Sequence, residues 1–158
     1  MKRIFKTVLL FSLGTIYGAV GHAKPTNHHS GKSLKIYPVE AINKTDPQER
    51  EGFQSCVVNQ GQSPIFMAEG FDWGIKAKPK PGIMIRIDSK DAKALNQVSK
   101  QFLDKEIATC LDDNLLFMST VKGELESGQF VISFHDAETT DKLIKILSLS
   151  ENEDRPTQ

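Results

Sequence analysis

The residues with the most chemical latitude in this 158-residue chain are two cysteines, four histidines and one tight aromatic cluster. Cys56 and Cys110 stand too far apart for a C-x-x-C redox pair, and two thiols cannot supply a four-ligand zinc set. An even cysteine count in an exported chain favours a disulfide. The alternative is two buried free thiols, because Cys110 lies in an apolar run. His28-His29 is the one adjacent imidazole pair. A metal site would need further ligands at fixed geometry, and the polar sequence around the pair predicts a solvated tail instead. His135 precedes Asp136 at a predicted strand-to-helix junction, where a pH-sensitive contact and a plain capping or surface role are both open.

Acid–base and nucleophilic chemistry find little support. Glu124 and Glu126 sit between Gly123 and Gly128 in a predicted turn, where exposure gives no burial to shift a carboxyl pKa. There is no G-x-S-x-G elbow and no phosphate-cradling glycine loop. The expectation is a non-enzymatic protein without metal or cofactor. Phe66, Met67, Phe71 and Trp73 form the densest aromatic and apolar cluster. Packed inward they are core. Turned outward, Phe66, Phe71 and Trp73 would line a groove for an extended polypeptide, with sheet-edge pairing supplying affinity.

The elements that must position these residues begin after a leader. Lys2, Arg3 and Lys6 form a positive n-region, Thr7 to Val20 an apolar h-region, and Gly21-His22-Ala23 a cleavage site with small residues at the required places. The apolar run falls short of the roughly 20 residues of a bilayer span. Residues 1–23 are therefore read as a signal peptide, and the mature chain as a soluble periplasmic protein of a Gram-negative envelope. Cleavage removes three cations and no carboxylate, which leaves the mature chain slightly acidic. That balance gives no electrostatic reason to expect nucleic acid as a partner. The remaining length, about 135 residues, suits one compact domain.

Residues 24–33 are polar, contain Pro25 and Gly31, and read as a flexible mature N-terminus. Residues 34–81 read as an N-terminal β element with a Lys/Pro join. Within it, Pro38 makes Leu34 to Glu40 an edge or bent strand, able to pair between copies or to be covered. Phe53 to Val58 and Ile65 to Ala68 flank a spacer with Gly61 and Pro64, which predicts a β-hairpin. Lys76 to Gly82 alternates lysine and proline and reads as extended, solvated backbone.

Residues 82–149 are the best-patterned part. Ile83, Ile85 and Ile87 alternate as a strand with one apolar face. Ser89 stands as cap of a helix whose stripe is Ala92, Leu95, Val98 and Phe102. Ile107 to Leu111 and Leu115 to Val121 flank Asp112-Asp113-Asn114, residues that tolerate positive φ, so a tight hairpin is predicted. Phe130 to Phe134 is the last strand. Asp136 is placed to cap a final helix with Thr140, Leu143, Ile144 and Leu147 on its stripe. Residues 150–158 are a polar, acidic tail expected to be disordered. The fold class is α+β, an antiparallel or mixed sheet with two helices on one face.

The order Ile83-Met-Ile-Arg-Ile87, Ser89-Lys-Asp-Ala-Lys-Ala-Leu95, Glu106 to Leu111, Asp112-Asp113-Asn114, Gly128-Gln-Phe-Val-Ile-Ser133 and a last helix resembles the head subdomain of the large periplasmic domain of SecD, an accessory subunit of the bacterial Sec translocon. Leu111-Asp112, Gly128-Gln129 and Ile132-Ser133 match the family's pattern. Asp113 replaces its turn glycine, Phe117-Met118-Ser119 stands where Ser-Ala-Pro is usual, and Phe134 follows where glycine is usual. The resemblance implies a stand-alone, exported SecD-head-like module that binds a polypeptide segment or partner protein of the cell envelope or export pathway. A selective inhibitor or immunity-type protein that blocks one enzyme or toxin is the other class that suits a small exported domain with a disulfide. Intact-mass analysis of protein recovered from periplasm is expected to give a chain beginning at Lys24; a mass that retains Met1 to Ala23 would show an uncleaved anchor.

Overall fold

The computed structural model describes residues 28–43, 49–50, 53–76 and 82–150. The signal peptide expected over 1–23, residues 24–27, most of the Lys/Pro join (77–81) and the acidic tail 151–158 lie outside the described residues. The elements are β1 (His28–Pro38), β2 (Glu49–Arg50), β3 (Phe53–Ser55), β4 (Phe66–Lys76), β5 (Gly82–Arg86), α1 (Ser89–Gln101), β6 (Glu106–Leu111), β7 (Asn114–Thr120), β8 (Gln129–Ile132) and α2 (Ala137–Ser150). The strands form one eight-stranded sheet in the order β2-β3-β7-β6-β1-β4-β5-β8. Each pair is antiparallel. The fold is α+β, and one sheet runs through both 34–76 and 82–132.

Alternation decides what each face buries. Leu34 and Ile36 of β1, Phe66 and Ala68 of β4, Ile83 and Ile85 of β5, and Phe130 and Ile132 of β8 point to one face. There they meet Leu95 of α1 and Leu143, Ile146 and Leu147 of α2, so both helices cover the same face. Each fully buried Leu, Ile or Phe contributes about 1.5–3 kcal/mol, and this cluster holds most of them. The α1 stripe arrives as patterned: Leu95 is buried, while Ala92, Val98 and Phe102 are half-buried. Asp88, not Ser89, occupies the cap position, and it makes no side-chain cap bond. Asp136 does cap α2, its Oδ1 accepting the Thr139 N–H at 2.6 Å.

The opposite face carries a second, smaller cluster of Tyr37, Ala41, Ile42, Ala108, Cys110 and Leu115. Its cover is irregular chain. Residues 39–43 and 56–58 lie together over it, joined by Asn43 N–H to Val57 O at 2.7 Å and Asn59 N–H to Ala41 O at 2.8 Å. Ala108 and Cys110 leave room for that cover because their side chains are short. Because β6 is packed on both faces, Ile107 to Leu111 is buried without interruption. The Cys56–Cys110 disulfide spans 54 positions and ties the cover to β6, so the disulfide expectation holds and free thiols do not.

Several sequence expectations are corrected. His28 to Ser33, expected as a flexible start, form the first half of β1 and pair with β4. The segment Leu34 to Glu40 is no edge: β1 pairs with β4 on one side and β6 on the other. Pro38 is tolerated because it is the last residue of the strand, where the chain turns into the short 3-10 turn Val39–Ala41. The hairpin expected across Gly61 does not form. The turn is present, with Gly61 at φ +79°, but β3 pairs with β2 and β7 while β4 pairs with β1 and β5. A turn signal fixes a local reversal and not which strands meet after it.

Because the disulfide closes a loop of about 55 residues, the loop-entropy relation assigns it about 4 kcal/mol. Replacing both cysteines (Cys56→Ser with Cys110→Ser) is expected to lower the unfolding free energy by that order in a denaturant titration. An unchanged midpoint would show that the cover holds without it.

Candidate functional site

The residues singled out from sequence do not converge. Phe66, Phe71 and Trp73 are 4 %, 0 % and 3 % exposed, and all three belong to the helix-covered core. They offer no outward groove. A glycine explains why a run of mixed spacing stays inside: Phe66 and Ala68 share a face with Phe71 and Trp73 because the strand's alternation breaks at Gly70, at φ +82°, opposite the register shift between Ser30 and Ser33 of β1. A side chain there would be strained, and its Cβ would crowd the His29 ring at 3.3 Å. Nothing local in the sequence marks that break, so spacing alone leaves the face of Phe66, Met67, Phe71 and Trp73 open. Met67 alone of the four faces outward, 47 % exposed.

The histidines are ordered by β1 and not by a tail. His28 stacks on Trp73 with ring centroids 4.8 Å apart. His29 Nδ1 lies 3.1 Å from Asp72 Oδ1 across the β1–β4 pair. His135 is exposed in the link between β8 and α2. Glu124 pairs with Lys100 at 3.3 Å, and Glu126 is exposed; neither is enclosed as an acid–base pair requires. Among the described residues no three His, Cys, Asp or Glu side chains stand close enough to hold a metal ion.

The cross-strand register assembles a different surface. On the face away from the helices, His29, Asp72, Arg86 and Gln129 lie in one row across β1, β4, β5 and β8. Gly74, Met84 and Val131 form the next row. Met84 and Val131 are half-buried and belong to neither apolar cluster. The cover that seals β6 and β7 does not reach them, so this end of the sheet has no second layer among the described residues. Asp72 is engaged by His29. Arg86 has no ion pair among the described residues, and its Nε is enclosed without an acceptor. Arg86 and Met84 were legible only as the polar-side residues of an alternating strand. Their exposure depends on which strands flank β5.

One further device holds the seam near this surface. The β1–β4 register shifts between Ser30 and Ser33. The turn between β6 and β7 reaches that irregularity: Asp112 Oδ1 accepts the Ser33 N–H at 2.8 Å, Oδ2 accepts from Lys32 Nζ at 3.2 Å, and Asp112 N–H donates to Ser33 O at 2.8 Å. Asp112 adopts φ +50°, the conformation that the Asp-Asp-Asn turn was expected to allow.

This α+β arrangement defines a helix-backed sheet with one partly open face. It is similar to solved structures of the same proteins that Gly82 to Leu149 resembles. One is described as a membrane component SecDF that enhances protein export, at 14 % identity and TM-score 0.48, covering 77 % of this chain and 64 % of that one. A second, SecDF in a super-membrane-facing form, has 14 % identity and TM-score 0.47, with 77 % of this chain and 19 % of that chain covered. A third is SecDF, a translocon-associated membrane protein, from Thermus thermophilus, at 15 % identity and TM-score 0.48, covering 79 % and 20 %. The chain thus spans less than two thirds of the first structure and about a fifth of the others. No protein-family model and no curated protein matches the chain. No helix among the described residues is long and apolar enough to cross a membrane.

Thr139 holds the Asp136 carboxyl below the usual range, through its hydroxyl first and its N–H second. With the folded value below the unfolded one, this cap stabilises above the unfolded carboxylate pKa and is lost as pH falls through the folded value. Helix ellipticity followed downward from pH 5 is therefore expected to show a low-pH loss that Asp136→Ala removes. An acid profile unchanged by the substitution would place that loss elsewhere.

Proposed function

We propose that this chain is an exported, non-enzymatic protein-binding module that engages a polypeptide segment or partner protein of the cell envelope or export pathway. The observation that carries the reading is the half-open sheet. One face is sealed by α1 and α2, and the other is covered over β6 and β7 but, among the described residues, bare over β5, β8 and the adjoining end of β4. Among the described residues that part combines Met84 and Val131 with His29, Asp72 and Arg86. A flexible methionine and a valine beside charges of both signs suit a protein surface that accepts more than one sequence. The resemblance of 82–149 to a SecD head is of the same kind, a periplasmic module beside an exported chain.

The disulfide belongs to this reading as a stiffener. It fixes the cover over β6 and leaves the β5 and β8 end of the sheet outside that cover among the described residues. The working surface is then pre-formed and loses little ordering entropy when a partner binds.

A fluorescein-labelled, reduced and carboxymethylated lactalbumin serves as a permanently unfolded probe. Fluorescence anisotropy is expected to give saturable binding with a Kd on the order of micromolar. Replacing Met84 and Val131 together by serine is expected to weaken it about tenfold while the far-ultraviolet circular dichroism spectrum is retained. No binding at protein concentrations of about 100 times that Kd would overturn the reading. Nanomolar capture of a single folded enzyme would establish the inhibitor class instead.

A further inference from the structure

Among the described residues the bare face ends in a strand whose backbone is also open, and the ladder specifies which groups it offers. Ile87 N–H donates to Gly128 O at 2.8 Å. The β5–β8 register continues from that pair as Arg86↔Gln129, Ile85↔Phe130, Met84↔Val131 and Ile83↔Ile132. In an antiparallel pair, hydrogen-bonded and non-bonded positions alternate. Phe130 and Ile132 therefore bond back to β5, and the N–H and C=O groups of Gln129 and Val131 point away from it. β8 is the last strand of the sheet, and no strand among the described residues takes up those groups.

The side chains beside that edge add a charge preference. Gln129 and Val131 share their face with Arg86 and Met84. Lys76 lies on the same face of β4, two positions beyond Gly74. The acid of this row, Asp72, already contacts His29, which leaves the Arg86 guanidinium without a counter-ion among the described residues. An added strand would lie about 4.8 Å outside β8, and so about twice that from β5. An arginine and a glutamate side chain together span that gap.

We propose that β8 receives an extended polypeptide segment as a ninth strand, hydrogen-bonded to Gln129 and Val131, with an acidic side chain of the segment directed to Arg86. The inference rests on the protein-binding reading and assigns it a place and a partner chemistry. Backbone pairing supplies affinity that is tolerant of sequence. The guanidinium supplies a bias for carboxylate, since a fork of N–H donors matches its geometry. Phe130 and Ile132 remain in the core throughout, so no rearrangement of the helices is required.

The position of Val131 gives a clean test. Its N–H faces outward, so Val131→Pro removes a donor from the edge without removing a bond to β5. Two labelled ten-residue peptides of alternating valine and threonine serve as probes, one with two glutamates and one with two lysines at the same places. Wild-type protein is expected to bind the glutamate peptide about tenfold more tightly than the lysine peptide. Val131→Pro is expected to weaken both about tenfold with an unchanged far-ultraviolet circular dichroism spectrum. Arg86→Glu, which leaves the ladder untouched, is expected to reverse the preference and provides the reading if the proline variant is destabilised. If the carboxymethylated lactalbumin binds but neither substitution alters peptide or lactalbumin affinity, the edge assignment is overturned and the protein-binding reading stands. If wild-type protein binds neither probe, both fall.

Discussion

The fold depends on the seating of β1 between β4 and β6. Without that strand the sheet falls into two unconnected pieces, β2-β3-β7-β6 and β4-β5-β8. Its partners lie far along the chain, so its pairing must be reached by long-range closure, which is entropically costly before any contact forms. The compensation is concentrated there. Leu34 and Ile36 are buried on the helix-covered face, Tyr37 fills the second cluster, and ladders run along both edges of the strand.

Two details make that seat specific. The ladder between β1 and β4 slips past Ser30 to Ser33, and a register slip would ordinarily send every later side chain to the wrong face. Gly70 absorbs the change on β4 by adopting a left-handed conformation, so Phe71 and Trp73 remain in the core. On β1 the Ser33 N–H left by the slip is taken by Asp112 from the turn of the neighbouring hairpin. The turn residue and the bulge therefore specify one another. The disulfide acts on the other face, where the short side chains of Ala108 and Cys110 admit an irregular cover that Cys56 then fastens.

The same arrangement explains why the open surface lies at β4, β5 and β8. Among the described residues the cover is tethered at β6 and reaches the strands beside it, while the helices occupy the opposite face. A sheet of eight strands is wider than the described cover on its second face. The consequence is a region where apolar and charged side chains stand together beside an unpaired edge, an arrangement suited to holding extended chain and poorly suited to enclosing a small molecule.

Periodicity alone determined much of this protein: the strand at Ile83 to Ile87, the stripe of α1 through Leu95, the Asp-Asp-Asn hairpin, the capping of α2 by Asp136 and the α+β class all follow from local spacing and turn chemistry. The even cysteine count in a chain whose first residues read as a leader favoured the Cys56–Cys110 bond, and only the fold brought the two residues together. Other features were out of reach because they are non-local. Pro38 read as an edge signal, but a proline at the last position of a strand leaves both ladders intact, and only the partners reveal that β1 is central. His28 and His29 read as tail because polar residues carry no period, yet they pair with β4 through backbone groups that every residue possesses. Phe66, Phe71 and Trp73 were ambiguous between core and groove until the bulge at Gly70 set their face. Arg86, Met84, Gln129 and Val131 became a surface only through tertiary structure, since exposure of a strand's second face is decided by which strands flank it and what lies on top.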